Sequence, residues 1–301
     1  MKRYVGFGWS CGSFAVENAV KNLPITAEQY EMLGGVPFGL KNDENIITTL
    51  TEPFDGIQRA AENLAVFVER RMFVEFGQFW ENLLKDATAG KGSIVLGPVN
   101  MQKLFYIPFS SFYSDVDHYL ALESVSGEDL YITDSDGFIQ IRVLKDQAVK
   151  MLNAEGKFNQ GINYCYYIIG NEFPVRDPYE MICRSADTIR ENFKEASKKQ
   201  PFLETMQYTH RMLNAKDINN MLFNTNSLIY RKQLQKDFIE WAGNMGFHGL
   251  DQALLLLEEQ IFLIALQRYN IKLYKTENQL WGWESLQELE DEIAGIFIEN
   301  I

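Results

Sequence analysis

The chain has 301 residues, of which 46% are hydrophobic and 13% aromatic, so it can bury a substantial core and is not intrinsically disordered. Its formal net charge of −13 argues against binding a phosphate backbone, because nucleic-acid binders present basic faces. The same charge is compatible with a small cationic or amine substrate. Three widely spaced cysteines favour neither a disulfide framework nor a zinc site, and we expect a reduced, cytoplasmic protein.

Neither a signal peptide nor a membrane span is expected. Met1-Lys2-Arg3 is not followed by a sustained apolar region. The most apolar stretch, residues 253–266, is shorter than the ~20 residues of a membrane helix and contains Glu258, Glu259 and Gln260. It is therefore predicted to be a buried helix.

The first half of the chain predicts a mixture of helices and strands. Helices are expected at 11–22 and 27–33, a glycine-rich loop at 34–39, and one long helix from Pro53 to Lys85 with apolar residues at three- and four-residue spacing. Strands are expected at 93–99, 119–124, 130–134, 138–142 and 163–169, with a Ser-Asp-Gly turn at 135–137. The glycine-rich loop lacks the Gly-Lys-Ser/Thr ending of a phosphate loop.

The second half predicts helices alone. Pro174 and Pro178 break regular structure, and helical patterns follow at 180–199, 201–214, 217–243, 250–275 and 284–298. The fold class is therefore α+β, with one mixed domain over 1–172 and an all-helical domain over 173–301.

One constellation suggests chemistry. Cys11 opens the first helix, His118 begins a strand, and Asp134 ends the next strand 16 residues later. A helix N-terminus favours a thiolate, an imidazole can serve as general base, and a carboxylate can orient that imidazole. The backbone N–H of Cys11 can stabilise an oxyanion, and Gly12 is expected to leave room for a substrate carbonyl. Asp136 competes with Asp134 for the orienting role, although its place in the turn favours a structural one.

Other candidate residues are weaker. Cys165 is expected to pack in a sheet and Cys183 on an amphipathic helix. His210 is expected on a helix and His248 in a loop that could line a cleft. Metal-ligand spacing and a Gly-x-Ser-x-Gly elbow are both absent from the sequence, so neither a metal nor a cofactor is predicted.

Six segments carry a family resemblance when taken in chain order: Ser10–Asn18, the loop Gly34–Gly39, Gly97–Val99, Tyr106–Pro108, Asp117–Tyr119 and Tyr131–Asp134. Together they resemble the N-terminal domain of the butirosin-biosynthesis acyltransferase family over roughly residues 5 to 145. That family has a papain-like fold related to bacteriocin-processing cysteine peptidases. Its best-understood activity moves an acyl group from an acyl carrier protein to an amine of an aminoglycoside.

The resemblance implies an acyl-enzyme mechanism. Cys11 would accept the acyl group, His118 would act as base and Asp134 would orient it. The implied partners are an acyl carrier protein, or another thioester donor, and a small amine acceptor; the helical region could shape the acceptor pocket or form a homodimer contact. A hydrolase of the same fold, or a non-catalytic binding protein that retains the fold, are the alternatives.

The chain also departs from the family pattern. Trp9-Ser10 stands where the family often has a histidine close before the nucleophile, and Asn100-Met101-Gln102 stands where it often has an aspartate. A glutamine before the cysteine, the usual second oxyanion donor of papain-like peptidases, is missing. Asn100 or Gln102 is the candidate substitute.

Overall fold

The computed structural model of the chain describes residues 10–43, 46–108, 110, 116–154, 163–209, 215–277 and 282–301. It divides into two compact units. The first comprises residues 1–30 and 53–176, and the second comprises 31–52 and 177–301. Residues 31–52 therefore belong to the second unit, although the chain on both sides of them belongs to the first.

The helices and strands alternate in the first half of the chain and give way to helices alone in the second. In chain order they are α1 Cys11–Ala19, α2 Ala27–Leu33, β1 Leu40–Asp43, β2 Ile46–Thr49, α3 Pro53–Asn63, β3 Val68–Phe73, α4 Phe76–Ala89, β4 Ser93–Asn100, β5 Asp117–Ser126, β6 Asp129–Asp134, β7 Ile141–Val143, α5 Lys145–Met151, β8 Tyr164–Ile169, α6 Pro178–Ala196, α7 Pro201–Thr209, α8 Ala215–Asn244, α9 Asp251–Glu277 and α10 Trp283–Asn300. This confirms the mixed α+β class.

The first unit is built on a six-stranded antiparallel sheet with strand order β3-β8-β4-β5-β6-β7. Alternate residues of β4, β5, β6 and β8 point into one apolar core with residues of α4 and α5. Phe79, Leu96, Leu120, Ile132 and Tyr166 are among its fully buried members. This core holds β5 and β6, which carry two of the candidate site residues, in fixed register.

The long helix predicted from Pro53 to Lys85 is wrong. The chain forms α3, then β3, then α4 over this stretch, and Ala65 adopts a positive φ of 52° between the first two. Residues 68–73 pair along their whole length with β8. Phe67 and Met72, two of the apolar residues whose spacing predicted that helix, are exposed, so the spacing did not mark a single buried face.

Smaller differences concern element ends. α1 stops at Ala19 because Val20 turns to extended backbone, three residues before the predicted end. In place of the strand predicted at 138–142, the structure has the shorter β7 at Ile141–Val143. The hairpin β1–β2 and helix α5 lie in segments for which the sequence patterns predicted no element.

The second unit contains helices α6 to α10 together with the segment 31–52. Phe38 packs among Phe193, Phe238 and Phe297 in one apolar cluster. The hairpin is tied to the helices by hydrogen bonds from Asn42 to Thr205 and between Ile47 and Asn224. These contacts explain why 31–52 belong with the helices, whereas the expected division placed all of 1–172 in one catalytic domain.

Within the described ranges, none of the helices combines the length and the apolar character that crossing a membrane requires.

Candidate active site

Cys11 is the first residue of α1. Ser10 precedes it with non-helical backbone, and its carbonyl accepts the first helical hydrogen bond, from Phe14 N–H. The N–H of Cys11 therefore takes no part in the i→i−4 hydrogen bonds of the helix, and it lies at the helix end that carries a partial positive charge. The expected role of Gly12 is not what the structure shows: Gly12 is buried, and a Cβ there would lie 3.2 Å from Ile57 and 3.5 Å from Tyr119. Gly12 lets α1 approach α3 and β5 closely.

The strand register brings His118 and Asp134 together. Leu120 of β5 pairs directly with Asp134 of β6, and His118 lies two residues before Leu120 on the same face of β5. His118 Nε2 and Asp134 Oδ1 are 2.7 Å apart, and both side chains are buried. The predicted pairing of the histidine with the carboxylate that ends the next strand is therefore present in the structure.

Asp134 is held by three hydrogen bonds. Oδ1 receives the His118 contact and accepts the backbone N–H of Asp136 at 2.9 Å, while Oδ2 accepts the hydroxyl of Tyr106 at 2.7 Å. Burial raises the pKa of Tyr106 well above its usual value, and the charge of Asp134 raises it further, so the phenol remains a donor. No role for Tyr106 was predicted, because nothing in its local pattern shows that its loop returns to β6.

Cys11 lies beside the same histidine. Its Sγ is 3.9 Å from the carbonyl oxygen of Asp117, the residue before His118, and His118 lowers the pKa of the thiol. The structure thus brings Cys11, His118 and Asp134, from α1, β5 and β6, into one site.

Burial and charge set the protonation of this series. Burial alone would lower the pKa of His118, but its hydrogen bond to Asp134, together with the effect of Cys11, outweighs burial and raises that pKa well above its usual value. Burial alone would raise the pKa of Asp134, yet the bond to His118 holds that pKa below its usual value. Burial raises the pKa of the Cys11 thiol, and His118 offsets only part of that rise.

Two further carboxylates act on Cys11. Asp117 and Asp136 both raise the pKa of the thiol through their charge. Asp136 is half-buried, and its own pKa is raised by burial and by the charge of Asp134, against the opposing effect of His118. Asp136 is therefore more than a turn residue: its N–H orients Asp134, and its carboxylate makes the site more negative.

Three side chains of the site are of the types that bind metal ions. Among the described residues, ligand atoms of His118, Asp134 and Asp136 lie within 4.8 Å of one another. Oδ1 of Asp134 is already engaged by His118 and by the Asp136 N–H, and Oδ2 by Tyr106. Because coordination would require breaking these bonds, hydrogen bonding accounts for the arrangement better than metal coordination does.

The remaining candidates lie elsewhere or outside the description. Cys165 is buried on β8, where burial raises the pKa of its thiol to about 12. Cys183 is exposed on α6, and His248 is exposed between α8 and α9; both belong to the second unit. Trp9 and His210 lie outside the described residues.

The two candidate oxyanion donors differ in position. Asn100 is buried and pairs across the sheet with Asp117, whereas Gln102 is exposed. The Oδ1 atom of Asn100 accepts the backbone N–H of Gln102 at 3.0 Å, which leaves its Nδ2 as the donor. Asn100 is thus the better placed of the two.

The fold and these side chains define a mixed α+β protein in which the start of α1 brings a half-buried cysteine to a buried histidine–aspartate pair on the antiparallel sheet. No protein family model matches the chain. Over 200 residues the chain is 25% identical to a Bacillus subtilis (strain 168) protein described as uncharacterized protein YobF. The match covers 65% of this chain and 64% of that protein, so the chain spans just under two thirds of its relative's length.

Proposed function

We propose that the chain is a cysteine-dependent acyltransferase that forms an acyl-Cys11 intermediate and passes the acyl group to an amine. The observation that carries this proposal is the position of Cys11 at the start of α1, 3.9 Å from the carbonyl oxygen of Asp117 and beside the 2.7 Å contact of His118 with Asp134. A nucleophile within hydrogen-bond reach of a base, which is in turn oriented by a third group, is the arrangement of covalent catalysis. The papain-like fold that the family resemblance implies belongs to the same proposal.

The first half-reaction begins when the Cys11–His118 pair loses one proton, which leaves a thiolate beside an imidazolium. The thiolate attacks the donor carbonyl, and the carbonyl electron pair moves to oxygen. When the tetrahedral intermediate collapses, the bond to the leaving group breaks and His118 supplies the proton that the leaving thiol requires. Asp134 stabilises the imidazolium throughout because its buried carboxylate remains ionised.

In the second half-reaction an amine attacks the acyl-Cys11 thioester. Neutral His118 accepts a proton from the amine, the C–S bond breaks, and an amide is released with Cys11 restored. We assign oxyanion stabilisation to the Cys11 N–H at the start of α1 and to Nδ2 of Asn100, whose strand partner Asp117 lies against the thiol.

The charges of the site favour a cationic acceptor. Asp117 and Asp136 act on Cys11, and a protonated amine is attracted to such carboxylates before it loses its proton. A thioester donor suits a thiol nucleophile, since thioester exchange requires no activation beyond the thiolate. An acyl carrier protein is the donor that the family resemblance implies.

The test is acylation by an acyl pantetheine thioester, which presents the carrier-protein arm without the protein. Intact-protein mass spectrometry should show one acyl adduct on the wild type, none on Cys11→Ala, and the same single adduct on Cys165→Ala as matched control. Adding small diamines should discharge the adduct and yield an amide. Discharge by water alone would indicate a hydrolase, and a wild type that is not acylated would refute the proposal and favour a binding protein.

A further inference from the structure

Helix α9 of the second unit carries an exposed apolar stripe. Four large apolar side chains are exposed on it: Leu255 (70%), Phe262 (66%), Leu266 (42%) and Tyr269 (59%). Their spacings of seven, four and three residues place them on one face of the helix. The opposite face is buried within the unit through Leu257, Ile264 and Ile271. Large apolar side chains gathered on an outward face mark an interaction surface.

Three of the four residues of the stripe are symmetric about Phe262, whereas Leu266 has Glu258 at its symmetric position. Leu255 lies seven residues before Phe262, and Tyr269 lies seven residues after it. A two-fold axis at Phe262, perpendicular to the helix, therefore pairs α9 with an antiparallel copy of itself. Phe262 then meets Phe262 of the second copy, and each Leu255 meets a Tyr269, over a contact about 21 Å long at 1.5 Å per residue.

One pair of opposite charges beside the stripe is nearly symmetric about the same residue. Asp251 lies eleven residues before Phe262 and Lys272 ten residues after it, and both are exposed. The two-fold rotation brings Asp251 of one copy to within about one residue, ~1.5 Å along the axis, of Lys272 of the other. Within the described part of the chain, neither forms an ion pair. Glu258, by contrast, is already paired with Lys236 at 2.7 Å.

We propose that α9 is a homodimer surface on which two copies of the chain pair antiparallel about Phe262. A two-fold contact of this kind uses the same patch on both copies, which is what a self-complementary stripe requires. The contact is made by one helix from each copy, so we expect the dimer to dissociate reversibly on dilution. The proposal concerns the second unit and does not depend on the chemistry of Cys11.

Sedimentation velocity over a concentration series into the micromolar range tests the pairing. The wild type should pass from monomer to dimer, and Phe262→Glu, which sets two carboxylates on the axis, should remain monomeric throughout. Tyr269→Glu is a second disrupting variant in case the first folds poorly, which circular dichroism will show. Ile139→Glu is the matched control, because Ile139 is 58% exposed and lies in the first unit; it should dimerise as the wild type does.

A charge exchange tests the antiparallel register. Lys272→Asp should weaken dimerisation by about tenfold, because two ion pairs per dimer become repulsive. The double variant Asp251→Lys/Lys272→Asp should restore the wild-type dissociation constant, since the exchange rebuilds both pairs. A wild type that is monomeric at every concentration would overturn the proposal, as would a dimer that Phe262→Glu and Tyr269→Glu leave intact. Failure of the double variant to recover would refute the antiparallel pairing.

Discussion

The carboxylate of Asp134 is the most constrained group of the candidate site. It is fully buried and accepts hydrogen bonds on both oxygens. The roles of Cys11, His118 and Asp134 could be proposed from the sequence because helix start, strand start and strand end are local patterns. The contact of Tyr106 could not, because it depends on how residues 101–108 fold back onto β6.

Removing the Tyr106 hydroxyl should weaken the site without dismantling it. Hydrogen bonds to charged groups contribute about 1.5–3 kcal/mol, so Tyr106→Phe should slow acylation of Cys11 by roughly ten- to a hundredfold. The measurement is the single-turnover rate of acyl transfer from the pantetheine thioester. Tyr131→Phe, on the same strand as Asp134, is the matched control and should keep the wild-type rate. Equal rates for Tyr106→Phe and the wild type would show that this hydroxyl does not support the carboxylate.

At the scale of elements, periodicity predicted most helices and central strands but failed in two places. Residues 53–85 have helical spacing throughout, yet residues 68–73 form β3 because they pair with β8. Phe73 pairs with Tyr164, which lies 91 residues further along the chain (164 − 73). Strand pairing of this range has no local signal. The hairpin β1–β2 was missed for the same reason, since it is held by the hydrogen bond of the Asn42 side chain to α7 and by the bonds of the Ile47 backbone to α8.

Gly39, just before that hairpin, lies too close to α6 to accept a side chain. Gly39 has a φ of 77°, and a Cβ there would lie 2.5 Å from the carbonyl oxygen of Asn192 on α6. Gly39→Ala should therefore lower the free energy of unfolding by about 1–3 kcal/mol through backbone strain, before the steric clash is counted. Denaturant unfolding followed by far-ultraviolet circular dichroism measures this.

The control for that substitution lies in the same unit. Gly295 is inside α10, and a Cβ there meets nothing within 4 Å. Gly295→Ala should leave stability unchanged or raise it by roughly 0.5–1 kcal/mol, because alanine is the better helix residue. If both substitutions had the same effect, the close approach of Gly39 to α6 would not matter for stability.

At the scale of the whole molecule, the candidate site is assembled from two parts of the chain. α1 lies before residues 31–52, which belong to the second unit, whereas β5 and β6 lie after them in the chain. The change from strands to helices near 172 is visible in the composition and lies close to the observed end of the first unit at Arg176. That residues 31–52 belong to the second unit could not be predicted from the sequence, because their packing partners lie more than a hundred residues away.

The central claim, that His118 activates Cys11, is tested most directly by the rate of Cys11 alkylation with iodoacetamide across pH, read by intact-protein mass spectrometry. Cys11 should react at lower pH than Cys165, whose thiol pKa is about 12. His118 lowers the pKa of Cys11 and Asp136 raises it. His118→Ala should therefore move the alkylation profile to higher pH, and Asp136→Asn should move it to lower pH. Alkylation of Cys11 no faster than that of Cys165, with a profile that neither substitution moves, would contradict the account.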